Sequence, residues 1–141
     1  MFSINRMTEY ATLVMARCAA DPVTPMNATD LAAEIPLAPT TLRKLLQTLA
    51  RQGLLISQRG RNGGFVLARP PSEITLAQVM EALDGPMRLT PCSHADMECH
   101  LQGVCKPRPH WLRISKEFLA LLEATTLAQM VASSNTREPS P

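Results

Sequence analysis

The stretch PLAPTTLRKLLQTLARQG, residues 36–53, constrains the fold more than any other. Leu42, Leu45, Leu46 and Leu49 recur at three- and four-residue spacing, which places four leucines on one face of a helix. Pro39 suits the first helical turn, where its missing N–H is not needed, and Gly53 supplies a C-terminal stop. At 100° per residue the opposite face is Thr40, Lys44, Gln47 and Arg51, with Thr41 and Arg43 beside it. A helix this one-sided must lie on a core along its leucines and turn its cations outward.

The flanking segments extend this helix into a unit. Asn27 opens NATD, with Asp30 at the third helical position in the manner of a capping box. The short helix ATDLAAEI follows and stops at Pro36. Two helices joined by the turn PLAP form a helix-turn-helix. LLISQ and FVLAR then flank RGRNGG, which predicts a β-hairpin with a basic, glycine-rich tip at Arg59, Arg61 and Asn62. A hairpin directly after a helix-turn-helix is the layout of a winged helix.

Ahead of this unit, Met7, Tyr10, Ala11, Val14 and Cys18 form a stripe on a helix from about Met7 to Ala20. Cys18 lies on that stripe and reads as a buried small hydrophobe. Behind it, Thr75 caps a helix with Leu76, Val79, Met80 and Leu83 on its apolar face and Gly85 at its end. A long helix from about Pro109 to Glu123 carries Trp111, Ile114, Phe118, Leu121 and Leu122. That is more apolar surface than a small domain covers, so these five residues predict a homodimer interface. A shorter helical piece, TLAQMVAS, follows a bend near Thr125. The expected fold is mainly α with one small β-hairpin. It comprises a winged helix-turn-helix domain over 1–86, a cysteine loop over 87–108, a dimerisation helix region over 109–132 and a disordered tail over 133–141.

Charge is unevenly placed. The first 70 residues carry eight Lys/Arg and four Asp/Glu, whereas the remaining 71 carry six and eight. Residues 40–69 hold six basic side chains and no acidic one. A solvated helix face usually mixes signs, so a one-sign block of this length points to a polyanion. Lys44, Arg43 and Arg51 suit phosphates, Gln47 suits a base edge, and Thr40 and Thr41 are short polar contacts. Arginines on the hairpin tip suit a minor groove or the phosphates beside it. The expected partner is a double-stranded DNA operator, contacted by a dimer because specific sites usually take two recognition helices. No apolar run approaches the roughly 20 residues of a membrane span, and the N-terminus lacks a signal-peptide pattern. A cytoplasmic protein with no membrane partner is expected.

Cys92, Cys99 and Cys105 fall within PCSHADMECHLQGVCKP, with His94 and His100 among them. In a reducing compartment such thiols hold metal or do redox chemistry more often than they form disulfides. The gaps of six and five residues contain no CxxC knuckle of the kind zinc sites use. An iron–sulfur cluster ranks first on this spacing, zinc second and a thiol redox switch third. Three thiolates leave at least one ligand position to be filled from elsewhere.

The motifs TEYATLVMARCA, LAPTTLRKLLQTLARQGLLISQRGRNGGFVLAR, ITLAQVMEALDG, the three spaced cysteines and TLAQMV occur in fixed order. In this the chain resembles the IscR/NsrR/RirA-type family of bacterial winged-helix regulators. It is most similar to the proteobacterial regulators of the SUF iron–sulfur assembly operon. The resemblance spans nearly the whole chain, to about residue 132. It implies a homodimeric transcriptional regulator, not an enzyme, with one iron–sulfur cluster per subunit, of two-iron or four-iron type, whose state sets DNA affinity. Cys92, Cys99 and Cys105 match the family's cluster cysteines in order.

Two positions depart from the pattern. IscR-like members place a histidine three residues after the last cysteine, where this chain has Arg108. NsrR-like members use an acidic residue of the first helix, reaching over from the partner subunit, and the matching residue here is Glu9. His110, with His94 and His100, is the alternative to Glu9 as fourth ligand, and a water, a small thiol or an open position is the third. IscR members also carry an acidic residue where Arg43 stands, so their sequence preference does not transfer. The function this implies is a cluster-sensing regulator, as a repressor, of SUF or iron-responsive genes. The rival within DNA binding is a nitric-oxide sensor on the same scaffold. The rivals outside it are an iron–sulfur carrier or redox protein and a zinc-stabilised protein-interaction module.

Overall fold

The computed structural model describes residues 3–93 and 99–133. Six helices and one hairpin follow in the order α1 (Arg6–Ala20), α2 (Ala28–Glu34), α3 (Pro39–Arg51), β1 (Leu55–Gln58), β2 (Gly64–Leu67), α4 (Leu76–Asp84), α5 (Arg108–Ala124) and α6 (Leu127–Ser133). Two 3-10 turns, Pro71–Glu73 and Pro91–Ser93, precede α4 and α5. The expected mainly helical fold with a two-stranded antiparallel hairpin is therefore observed. The tail beyond residue 133 lies outside the described residues.

Local chemistry sets the helix boundaries. Asn5 caps α1 by accepting from the Met7 amide at 3.0 Å, and Asn27 caps α2 by accepting from the Asp30 amide at 2.9 Å. Thr75 and Gln78 form a reciprocal capping box at α4. Helix α3 has Pro39 in its first turn and no side-chain cap. It ends at Arg51, where Gly53 follows with a φ of 77°, a left-handed conformation that glycine adopts without steric cost.

Most of the core is one cluster. Ala11, Val14, Met15 and Cys18 of α1 meet Leu31 of α2, the four leucines of α3, Leu54, Leu55, Ile74, Val79 and Leu127. Helix α6 thus returns to α1 and closes this core from the C-terminal end. Its start is stitched to α4: the Leu76 amide donates to the Thr125 carbonyl at 2.8 Å, and the Leu127 amide to the Ile74 carbonyl at 2.9 Å. Residues 109–132 therefore do not pack as one unit, since α6 joins the N-terminal core while α5 rests on α4. A second, smaller cluster of Ala77, Met80 and Leu122 joins α4 to α5, with Phe118 packed against it.

Burial pushes the Cys18 thiol up to about 11, only partly offset by Arg17. This fits its reading as core. Thr8 is fully buried, a position the apolar stripe did not mark, and its hydroxyl donates to Asp84 at 2.6 Å. Asp84 also accepts from the Asn5 amide group at 3.3 Å, so the end of α4 holds the start of α1.

Candidate DNA interface and cysteine loop

Helix α3 divides as its sequence predicts. Leu42, Leu45, Leu46 and Leu49 are buried, whereas Thr40, Arg43, Lys44, Gln47 and Arg51 are exposed and Thr41 is half-buried. Arg51 folds back along the helix to donate to the Thr48 hydroxyl at 3.2 Å. Among the described residues, none of Arg43, Lys44, Arg51, Arg59 and Arg61 forms an ion pair. The sequence is free of carboxylates from residue 35 to residue 72. The acid just before this stretch, Glu34, is held by Arg17 through two hydrogen bonds, one of them 2.9 Å long. That pairing draws the Glu34 carboxyl below its ordinary pKa and raises that of Arg17. Glu34 is thus partly neutralised, and the α3 face keeps its positive field.

The hairpin presents Arg59, Arg61 and Asn62 at an exposed tip, between strands paired in register from Leu55↔Leu67 to Gln58↔Gly64. Its second strand is held near the tip by a contact the sequence did not announce. Met26, in the loop between α1 and α2, exchanges two backbone hydrogen bonds of 2.9 Å with Phe65. Gly64 permits this approach, since a Cβ there would stand 2.8 Å from the Met26 carbonyl oxygen. One cation of the basic block points inward: Arg69 donates to the Glu73 carbonyl and to Gln78, both at 3.2 Å. It anchors the hairpin exit to the α4 cap.

The cysteine loop joins α4 to α5. Cys92, Cys99 and Cys105 are half-buried and free of disulfides. Cys92 lies in the Pro91–Ser93 turn with its sulfur 3.3 Å from the Thr90 hydroxyl. Thr90 bonds Ser93 at 2.7 Å, and Ser93 bonds Ser115 of α5 at 2.9 Å. Cys99 and Cys105 sit in successive turns closed by Gln102 N–H to the Cys99 carbonyl and Cys105 N–H to the Leu101 carbonyl, both 2.9 Å. Among the described residues no three His, Cys, Asp or Glu side chains converge as a ligand set. His94 lies outside the described residues. His100, His110 and Glu9 are exposed. The donor chemistry nonetheless fits a thiophilic group: three soft sulfurs, none sealed in the core. Arg108, half-buried at the start of α5, keeps its Nε buried and without an acceptor among the described residues.

The proposed dimer stripe on α5 is split by packing. Leu122, at 7% exposure, and Phe118 are occupied by α4 of the same chain. Packing within the chain thus covers two of the five residues expected at a dimer interface. Trp111, Ile114 and Leu121 stay exposed, at 45%, 40% and 65%.

A leucine-seated recognition helix beside a basic hairpin defines a winged-helix DNA-binding protein. The sequence profile of the Rrf2 family, described as an iron-dependent transcriptional regulator, matches residues 4–133. The chain belongs to this family and is a DNA-binding transcriptional regulator. It is 33% identical over 131 residues to the HTH-type transcriptional regulator NsrR of Geobacillus kaustophilus, covering 91% of this chain and 88% of that one. It is 30% identical over 129 residues to protein aau3 of Rhizobium meliloti, covering 91% and 84%. Its fold matches CymR, the global cysteine regulator of Bacillus subtilis, with a TM-score of 0.76 at 27% identity, covering 94% of this chain and 98% of that one. It also matches T. potens IscR with a TM-score of 0.74 at 21% identity, covering 99% and 94%. No helix among the described residues is long and apolar enough to cross a membrane.

Proposed function

We propose that the protein is an iron–sulfur-cluster-sensing repressor of SUF iron–sulfur assembly or iron-responsive genes, acting in the cytoplasm as a homodimer. The observation that carries this reading is the placement of three free, half-buried thiols between α4 and α5 of a winged-helix regulator. Cys92, Cys99 and Cys105 would hold the cluster, of two-iron or four-iron type. Glu9 reaching over from the partner subunit is the preferred fourth ligand, with His110 as the alternative. When bound, the cluster supplies a centre sensitive to iron supply and oxidants.

The chain's own residues relate this loop to DNA. Ser93 ties the Cys92 turn to α5, and α5 rests on α4 through Leu122 and Phe118. Helix α4 packs in turn on α1 and α3. Trp111, Ile114 and Leu121 offer an apolar strip of the kind that interface cores use. A dimer formed on this strip would have its two α3 helices set apart by the position of α5. Thr40, Thr41, Arg43, Lys44, Gln47 and Arg51 would enter the major groove, and Arg59, Arg61 and Asn62 would lie on the adjacent backbone or minor groove.

Anaerobic purification with iron and sulfide counts tests the cluster, and gel-shift titration of holo and apo forms over a salt series tests the DNA face. Iron and sulfide near stoichiometry with the thiol sites, together with DNA affinity that differs between the two forms, is expected. In the form that binds better, a Lys44→Ala, Arg51→Ala double variant should lower the slope of log affinity against log salt by about two, one for each lost phosphate contact. A colourless protein with one zinc per chain sinks the cluster reading. Affinity indifferent to salt sinks the DNA face.

A further inference from the structure

A cavity of about 320 Å³ opens where the C-terminal end of α4 meets the start of α1. Ile4, Asn5, Met80, Asp84, Met87 and Arg88 line it. Asp84 and Arg88 are the charged residues of that lining, and among the described residues neither takes part in an ion pair. Asp84 accepts from the Thr8 hydroxyl at 2.6 Å and from the Asn5 side-chain amide at 3.3 Å. Both donors are neutral, so the carboxylate keeps its charge, and its two oxygens retain lone pairs for a further donor.

The two charges and the apolar residues beside them select a class of ligand. Asp84 is the last residue of α4, where the helix dipole adds partial negative charge to that of the carboxylate. This part of the lining suits a cation. Arg88 supplies a permanently charged planar donor, which suits a carboxylate. Met80, Met87 and Ile4 give the apolar wall, and Ile4 is 42% exposed. A molecule that carries an ammonium, a carboxylate and an apolar side chain on one carbon meets all three. A simple amine or a simple acid leaves one charge unmatched. The volume lies at the small end of the roughly 300–1,000 Å³ typical of ligand pockets, which fits a single amino acid better than a nucleotide.

We propose that this cavity is an effector site for a free α-amino acid with an apolar side chain. Asp84 holds the ammonium group, Arg88 holds the carboxylate, and the side chain lies against Met80, Met87 and Ile4. The carboxylate that anchors the ligand is also the one that ties α4 to Thr8 and to the Asn5 cap of α1. A ligand ammonium competes with those donors for the same oxygens. Occupancy therefore changes how firmly α4 holds α1, and α1 packs on α3. The inference rests on DNA binding by α3 and is independent of what the loop cysteines hold.

The test titrates the full-length protein calorimetrically with L-valine, L-leucine, L-methionine and L-phenylalanine. The best of these is then compared with its N-acetyl form, which lacks the ammonium, and its methyl ester, which lacks the carboxylate. Saturable binding of at least one free amino acid, with a Kd of about 1 mM or tighter, is expected. Each blocked form should bind about tenfold more weakly or worse. The acetylated form probes the Asp84 side without altering the residue that holds Thr8. Arg88→Gln should weaken the free amino acid about tenfold and leave the ligand-free Tm unchanged, since Arg88 has no ion pair among the described residues to lose. Gel shifts at saturating ligand should show operator affinity changed by about threefold or more. No saturable binding of any of the four at concentrations up to about 10 mM overturns the site. So does equal binding of the blocked forms, or wild-type affinity for the amino acid in Arg88→Gln. Saturable binding that leaves operator affinity unchanged overturns the effector role.

Discussion

Cys18 and the three loop cysteines show how one residue type takes two chemistries from its surroundings. Cys18 is packed among Val14, Leu31 and the α3 leucines, and burial holds its thiol near 11. At pH 8 only about one molecule in a thousand then carries the reactive thiolate. Brief alkylation of the apo protein followed by peptide mass spectrometry should label Cys92, Cys99 and Cys105 and leave Cys18 unmodified until denaturant is added. Labelling of Cys18 at the rate of the others would contradict this core. The same shift has a sign in stability. The thiol titrates near 9 when unfolded and near 11 when folded. Its stabilising contribution is therefore whole below pH 9 and declines as pH rises toward 11. Thr8 makes a related point: a hydroxyl on the buried side of α1 was invisible to apolar periodicity, because its reason for being inside is Asp84, seventy-six residues away.

At the level of elements, the hairpin depends on the loop behind it. Its strands are short and only Leu55 of β1 is buried, so two strands alone would be marginal. The Met26–Phe65 exchange supplies a third partner close to the Arg59–Arg61 tip. Gly64→Ala drives a methyl group into the Met26 carbonyl. The expected cost is about 1–3 kcal/mol, in the range of overpacking, read from urea unfolding of the apo protein. DNA affinity should fall further than that loss of fold explains, because the tip is displaced. An alanine variant with wild-type midpoint and wild-type affinity would show that the loop contact does not position the hairpin. The hairpin itself was legible from LLISQ, RGRNGG and FVLAR. Its anchor was not, since DPVTPMN carries every mark of an unpaired loop and a single isolated bridge leaves no periodic trace.

On the scale of the whole molecule, α5 is where a sequence stripe and a packing seam diverge. Leu122 and Trp111 look equivalent on a helical projection, yet the first is sealed against Ala77 and Met80 and the second is open. They should respond differently to substitution. Leu122→Ala should cost roughly 2 kcal/mol of stability, measured by urea unfolding under conditions that hold the oligomeric state fixed. A Trp111→Glu, Leu121→Glu double variant should keep its helical content but sediment as a monomer and lose high-affinity operator binding. A double variant that sediments as wild type would exclude this strip as the subunit interface.

The amino-acid sequence by itself determined the elements and the division of α3 into a buried and an exposed face. Leucine spacing in α3, the caps at Asn27 and Thr75, the glycines of the hairpin and the acid-free run from 35 to 72 are all local signals, and local signals act through short-range sterics and hydrogen bonding. The tertiary structure decided what depends on distant partners. It brought α6 back to α1 and stitched residues 125–127 to the start of α4. It turned Arg69 inward while leaving Arg43 and Lys44 free, closed Phe118 and Leu122 within the chain, and buried Arg108 Nε at the start of α5. Burial and pairing are properties of two or more segments at once, and no one-dimensional pattern carries both halves of such a contact.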